Sequence, residues 1–551
     1  LNLEINGLHI GKPNDSIPNL TDTIANAREL VVDVRLLPLF GGNVEIDALR
    51  FTGVRLNTDG LIHSARISGR LDRLCLESHG IDISAETVRV DSALIAGADL
   101  SIELADTVPE DTTKNENRWK VNIDRLHIDD SSLALHMPGD TMSVCAGIGN
   151  LAAADAHIDL YRSQYKVGRM KWNGGRLTLD YNYEPHKEGL DINHLALTDI
   201  TLDADSFDFC SPKINLNIRQ SSFRENSGLN VRSLASHIAV NAKKISVPDI
   251  KIVTTESQMS ARFVMDRNTF SETAPGKMHL RADGFLGKQD IMLFMADMPE
   301  AFRKRWPAQP LKVNTVLTGN MRHLVLTGLV ADLPTAFHIN AHGTIDNIAD
   351  PGNIRASLFA DARAHDIGFL ASALPAGTLD GIAIPRGIGI KGKLFADGKR
   401  FGADFRATEG GGTLAGRACV NTSGNMTYKA NLTARGLHLG HFLPRKGLGT
   451  FSGQIAVRGS GTDIHSPGTR IEAGASITKF AYSGYDLSGM SGKLTMRSGH
   501  AIAGIRSNNP LVKGNMTVDA LINKRWTRAT VGADFQHIDL YRLRLAESPL
   551  S

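Results

Sequence analysis

The sequence predicts a mainly β protein: a long, repeated, antiparallel-rich sheet with a few short helices. Three observations carry that expectation. Apolar and polar residues alternate at period two through much of the chain, the pattern of strands with one apolar face. Short Gly, Asn and Asp clusters suited to tight turns separate these runs, as in Ala396-Asp397-Gly398-Lys399 and Thr422-Ser423-Gly424-Asn425. An apolar motif also recurs, which marks a structural unit used more than once.

That motif is Ile-(Asp/Asn)-x-Leu-x-(Ile/Phe/Leu). It occurs at Ile5-Asn6-Gly7-Leu8-His9-Ile10, Ile46-Asp47-Ala48-Leu49-Arg50-Phe51, Ile123-Asp124-Arg125-Leu126-His127-Ile128 and Ile192-Asn193-His194-Leu195-Ala196-Leu197. A spacing of three and then two changes faces in a regular strand; a β-bulge absorbs the extra residue and keeps all three side chains on one side. A weak helical period over residues 22–29 predicts a short helix after the first strand. Within residues 213–219, Ile214, Leu216 and Ile218 point one way and Asn215 and Asn217 the other. Further on, Ile291, Phe294, Met295, Met298 and Phe302 fall at spacings of three and four, predicting one helix over residues 288–306. Its basic end, Arg303-Lys304-Arg305, reads as a solvated helix terminus. In the second half, residues 401–405, 428–434 and 451–457 alternate cleanly, and glycines such as Gly453 would let a sheet bend without side-chain crowding.

A second recurring element is apolar and opens on an acid or a histidine: Gln289-Asp290-Ile291, His365-Asp366-Ile367, His438-Leu439-Gly440 and His537-Ile538-Asp539. The hexapeptide His537-Ile538-Asp539-Leu540-Tyr541-Arg542 repeats residues 157–162 letter for letter. In these segments Asp is expected to cap a short helical turn. Of the 53 glycines, about twice as many lie in the second half as in the first. The expected division is 1–275, then a glycine-rich 276–450, then 451–551 continuing the repeat beyond the chain end.

Composition narrows the function classes. The chain has 551 residues, 42% hydrophobic and 22% charged, so it is neither disordered nor membrane-embedded, and it is too long for one core. A net charge of +3 without a long Lys/Arg run argues against nucleic acid. No window approaches eighteen consecutive apolar residues. Because Leu1-Asn2-Leu3-Glu4-Ile5 reads as the middle of a strand, a segment is expected before Leu1. Cys75, Cys145, Cys210 and Cys419 include no C-x-x-C and read as unpaired thiols.

Apparent catalytic and metal motifs fail on context. Gly387-Ile388-Gly389-Ile390-Lys391-Gly392 matches G-x-G-x-x-G, yet Lys393-Leu394-Phe395-Ala396-Asp397-Gly398 after it reads as strand and turn, not as a phosphate-facing helix. His438 and His441 sit three apart with no third ligand at suitable spacing. Asp199, Asp203, Asp205 and Asp208 lack the Gly and terminal Glu of a calcium loop and read as the wet face of a strand pair. The expectation is a non-enzyme with no catalytic residues, no metal and no cofactor.

Several stretches resemble the AsmA-like and TamB-like family. These are Leu3-Glu4-Ile5-Asn6-Gly7-Leu8, residues 27–42 with Leu36-Leu37-Pro38-Leu39, Gly447-Leu448-Gly449-Thr450-Phe451, Val457-Arg458-Gly459-Ser460-Gly461 and Ala533-Asp534-Phe535-Gln536-His537. The resemblance implies a curled, groove-like or taco-like sheet in the periplasm of a Gram-negative-type envelope, anchored in the inner membrane by a helix before Leu1. It implies a conduit for phospholipid between the inner and outer membranes. The alternative is a scaffold or binding module assisting outer-membrane protein assembly, with an outer-membrane barrel protein as partner. Residue patterns alone leave two arrangements open: a dry sandwich, or a trough lined by apolar side chains. The candidate groove-lining residues are Ile214, Leu216 and Ile218 in the first half, and Phe405, Leu432, Ile455 and Val457 in the second.

Overall fold

The computed structural model describes residues 1–13, 21–35, 46–58, 65–82, 86–104, 118–181, 184–185, 188–350, 352–374, 381–523 and 526–543. The stretch Leu36-Leu37-Pro38-Leu39 lies outside them. Among the described residues, twenty-nine strands belong to one unclosed, mostly antiparallel sheet in which strands pair with their neighbours along the chain. Two units make up the chain: Leu1–Asn268 with Gly284–Asp297, and Thr269–Asp283 with Met298–Ser551.

The first unit runs through β1 (Asn2–Pro13), β2 (Thr21–Val34), β3 (Ile46–Asn57), β4 (Ala65–Asp82), β5 (Thr87–Leu104), β6 (Lys120–Met137), β7 (Met142–Asp159), β8 (Gln164–Tyr181) and β9 (His194–Cys210). It continues through β10 (Lys213–Glu225), β11 (Asn230–Val240), β12 (Lys244–Thr254) and β13 (Gln258–Asp266). Among these strands β5 and β6 pair in parallel. Segment 22–29, expected as a helix, is part of β2. The reason is visible in its register: Ala27 faces Val54 and Leu30 faces Phe51, with Arg28 and Gly53 both passed over between. A bulge restores the face after three residues, and that spacing imitates a helical period.

Such bulges line up. Gly7, Gly53 and Gly97 have φ of 71°, 63° and 64°; Asp130, Gly174 and Asp199 follow at 44°, 68° and 52°. Each sits at a gap in the strand pairing, mostly matched by a gap in the neighbouring strand, so the irregularities form a seam across β1 to β9. At Gly53 the cause is doubled: its φ disfavours a side chain, and a Cβ would stand 3.2 Å from Arg28 Cβ. Because a bulge bends its strand, an aligned row of them creases the sheet along a line crossing the strands. The recurring motif creates part of this pattern. Ile5, Leu8 and Ile10 share a face, as do Ile46, Leu49 and Phe51, and Ile123, Leu126 and Ile128. The fourth copy differs: Ile192 precedes β9 and is 68% exposed, while Leu195 and Leu197 keep the common face.

The second unit holds β15 (Leu311–Gly319), β16 (His323–Leu333), β17 (Phe337–Asp346), β18 (Arg355–Ala364), β19 (Ile388–Asp397), β20 (Arg400–Glu409), β21 (Gly412–Asn421) and β22 (Thr427–His438). Then come β23 (Leu448–Ser460), β24 (Arg470–Tyr482), the two-residue β25 (Tyr485–Asp486), β26 (Met490–Arg497), β27 (His500–Asn508), β28 (Val512–Ile522) and β29 (Thr527–Ile538). The strand β14 (Met278–Leu286) spans the division between the units. Here bending uses glycine on the apolar face. Gly416 has φ of 154°, and a Cβ there would collide with the Asn431 carbonyl oxygen, so only glycine permits that close approach. The G-x-G-x-x-G match is likewise strand, with Gly389 and Gly392 inside β19.

The helix expected over 288–306 is two helices, α1 (Lys288–Phe294) and α2 (Glu300–Arg305). Pro299 separates them: it has no N–H to donate and it forces the residue before it out of helical geometry. Ile291 and Phe302 are buried, but Phe294 is 70% exposed, so the five apolar residues do not share a face. Arg303, Lys304 and Arg305 occupy the last turn of α2.

The second recurring element closes strands with helical turns. The backbone N–H groups of Arg162, Gly368 and Arg542 donate to Asp159, Asp366 and Asp539 at 2.9, 3.1 and 2.9 Å. Asp290 breaks the expectation. It lies inside α1, buried, and accepts from the hydroxyls of Thr254 at 2.5 Å and Ser257. Gly287 occupies the cap position. A third short helix, α3 (Leu439–Phe442), follows β22.

Candidate functional site

Residues paired across neighbouring strands point to one face, so the registers define continuous rows. In the second unit one row is Ala341, Ala360, Gly392, Phe405, Gly416, Leu432, Ile455, Ala475, Gly492, Ile505, Met516 and Ala533. A second is Gly343, Leu358, Leu394, Ala403, Ala418, Ala430, Val457, Ala473, Leu494, Ala503, Val518 and Val531. No polar side chain interrupts either. At about 4.8 Å per strand, each row runs for about 50 Å. Phe405, Leu432 and Ile455 are thus consecutive large residues of one row, and Val457 belongs to the next.

The first unit has its own rows. Ile5, Leu30, Phe51, Leu74, Ile95, Ile128, Leu151, Trp172, Leu202, Ser221, Leu234, Ile252 and Met259 are paired in succession. Ser221, the one polar member, donates its hydroxyl to the Thr201 carbonyl at 2.9 Å. Ile214, Leu216 and Ile218 lie on this face, opposite Val240, Ile238 and Ser236. Strand-by-strand alternation identifies those three, but bulges hide the long row because they break the period of two. The Ile-x-x-Leu spacing was the available signal for it.

Within each unit no second sheet covers the apolar face among the described residues; Leu439 and Phe442 of α3 pack only on its end, against Ala434, Leu437 and Phe451. All described strands belong to one unclosed sheet, and the short helices sit at strand ends. A sheet folded on itself as a dry sandwich would bury this face, yet Ile390 and Phe401 on it are exposed. Alanine occurs on both faces and measures their curvature. Ala93, Ala98, Ala153 and Ala156 on the apolar face are buried, whereas Ala96, Ala152 and Ala154 on the other face are not. In an uncovered sheet this asymmetry means that side chains converge on the apolar side, so that face is concave. Larger residues there keep contact with solvent: Leu394 is 43% and Val531 59% exposed.

The opposite face is polar and paired. Asp203 meets Arg169 at 3.4 Å, Asp208 meets Lys166 at 3.7 Å and Asp199 meets Arg224 at 3.6 Å. Asp205 accepts from Asn217 Nδ2 at 2.9 Å, the main reason its carboxyl is held below the ordinary range. These acids form cross-strand ladders, not a calcium loop. The four cysteines are unpaired thiols, each half-buried.

His438 and His441, which lack a third ligand in linear spacing, do have a companion in space: Glu409, brought from the end of β20. Sequence spacing could not find it, because the hairpin connecting β20 to β21 and the next strand supply the approach.

No protein family, no curated protein and no solved structure matches this chain. No described helix is long and apolar enough to cross a membrane.

Proposed function

We propose that the chain is a non-enzymatic conduit that moves phospholipid along its concave apolar face, as an AsmA-like or TamB-like protein of a Gram-negative-type periplasm would. One observation carries this reading: long apolar rows that no protein layer covers. Exposed apolar surface of this extent marks a binding site in a soluble chain. Two acyl chains with about 30 methylenes, at about 0.8 kcal/mol each, cost on the order of 25 kcal/mol to expose to water. A path must offset that cost at every step, and the rows supply unbroken apolar contact. One leaflet of a bilayer is about 15 Å of hydrocarbon, so a row of about 50 Å spans several acyl-chain lengths. Headgroups would remain in water at the open side, which removes any need for a buried polar pocket.

The deciding experiment places a photo-crosslinker at Leu432 or at its neighbour Thr433 in cells. Leu432 belongs to the apolar row; Thr433 pairs with Gln454 on the other face. Phospholipid adducts at Leu432 and not at Thr433 are expected. Equal labelling, or none at any inward position, overturns the reading.

A further inference from the structure

At one edge of the second unit, Glu409 converges with a histidine pair distant from it in sequence, His438 and His441. Glu409 ends β20, His438 ends β22 and His441 lies in α3. β20 and β22 run in the same direction with β21 between them, so their C-terminal ends share one edge. The turn Gly410-Gly411 keeps the hairpin short, and α3 begins directly after His438.

The three residues offer ligand atoms that all lie within 4.8 Å of one another. His441 Nδ1 is 2.5 Å from Glu409 Oε1, and the two imidazoles stack with centroids 5.2 Å apart. Two further atoms point to a missing partner: Glu409 Oε2 and His438 Nδ1 are buried and make no hydrogen bond. Glu409 is only 5% exposed. A buried carboxylate oxygen left unpartnered carries its full desolvation penalty, and a cation is the group that best offsets it.

We infer that Glu409, His438 and His441 form a binding site for a divalent transition ion of the zinc class. Two imidazoles and one carboxylate suit zinc, whereas calcium and magnesium require oxygen ligands throughout. The His441 side chain is 56% exposed, which leaves a fourth position open to water. The ion takes the place of the direct His441–Glu409 contact and occupies the two unpartnered atoms. It fastens α3 to the β20–β21 hairpin at the rim of the apolar face. This inference does not depend on the lipid reading, and its test needs no lipid.

The 551-residue chain, freed of any affinity tag, is equilibrated with zinc and then dialysed against buffer. Metal content is measured, and cobalt is substituted to read the coordination from its visible spectrum. One equivalent of tightly held metal and a tetrahedral cobalt spectrum are expected. Removing a group that merely orients a ligand costs about 10–100-fold in affinity, so Glu409→Gln and His441→Ala should weaken binding at least about tenfold. His323→Ala should not, because His323 pairs with Asp346 at 2.5 Å elsewhere in the unit. Far-UV circular dichroism of metal-free variants checks that they fold; if one does not, the cobalt spectrum of the unaltered chain still decides. Absence of retained metal, or equal retention in Glu409→Gln and His441→Ala, overturns the inference.

Discussion

Gly416 pairs with Leu432 on one side and Phe405 on the other, so its missing side chain makes room for two of the largest groups on the apolar face. Gly416→Val would drive a Cβ into the Asn431 carbonyl and demand a φ that β-branched residues avoid. A loss on the order of 3 kcal/mol is expected in urea unfolding. Titration at single residues is equally specific. His194 Nδ1 lies 2.9 Å from Asp191 Oδ2, and that hydrogen bond raises its pKa above the ordinary histidine value. The sign is set by the direction: a raised folded-state pKa adds stability that is complete below the ordinary value and disappears as pH rises through the raised one. NMR titration should therefore show His194 protonated to higher pH than an exposed histidine. Asp191→Asn should bring it back to the ordinary range, and an unchanged titration would refute the assignment.

At the scale of elements, Asp290 ties α1 to the turn between β12 and β13. Thr254 and Ser257 both donate to it, Ser257 N–H donates to Thr254 Oγ1 at 2.8 Å, and Gly287 N–H donates to Ser257 Oγ at 2.9 Å. Asp290→Ala removes the acceptor that two buried hydroxyls share. It should cost about 2–4 kcal/mol and raise hydrogen exchange in α1 before it affects β1 to β8. Bulges and glycines divide the work of bending. The first unit has strands of up to 18 residues creased by bulges, whereas strands in the second are mostly shorter and bend at inward glycines. Where a bulge falls, apolar spacing becomes three and then two, which is why β2 reads as a helix in sequence. Proline has the opposite legibility: Pro299 is plain in the sequence, and its power to break a helix outweighs the spacing that surrounds it.

For the molecule as a whole, each uncovered face is apolar and concave, and that combination separates a trough from a core. Leu432→Arg is expected to abolish lipid adducts at Ile455 while leaving the circular dichroism spectrum and melting midpoint nearly unchanged, since the guanidinium can reach water over the open side. In a dry core the same change would leave a buried unpaired charge and unfold the chain. Charge reversals on the polar face, at Lys213 and Arg219, test the alternative of a surface that recruits an outer-membrane assembly partner. A conduit should tolerate them in a complementation assay, and a recruiting surface should not.

The alternation from Ile214 to Ile218 and from Phe401 to Val457 determined the β class, the turn positions and which side chains share a face, because side-chain direction in a strand is local. The caps of Asp159, Asp366 and Asp539 were legible for the same reason: donor and acceptor are two or three residues apart. What the sequence could not determine was whether a second layer covers the apolar face, since that depends on which strands meet at long range. Nor could it bring Glu409 to His438 and His441, which needs two hairpins to place the ends of β20 and β22 on one edge. Tertiary structure decided both, because strand pairing joins residues by register across the sheet and not by distance along the chain.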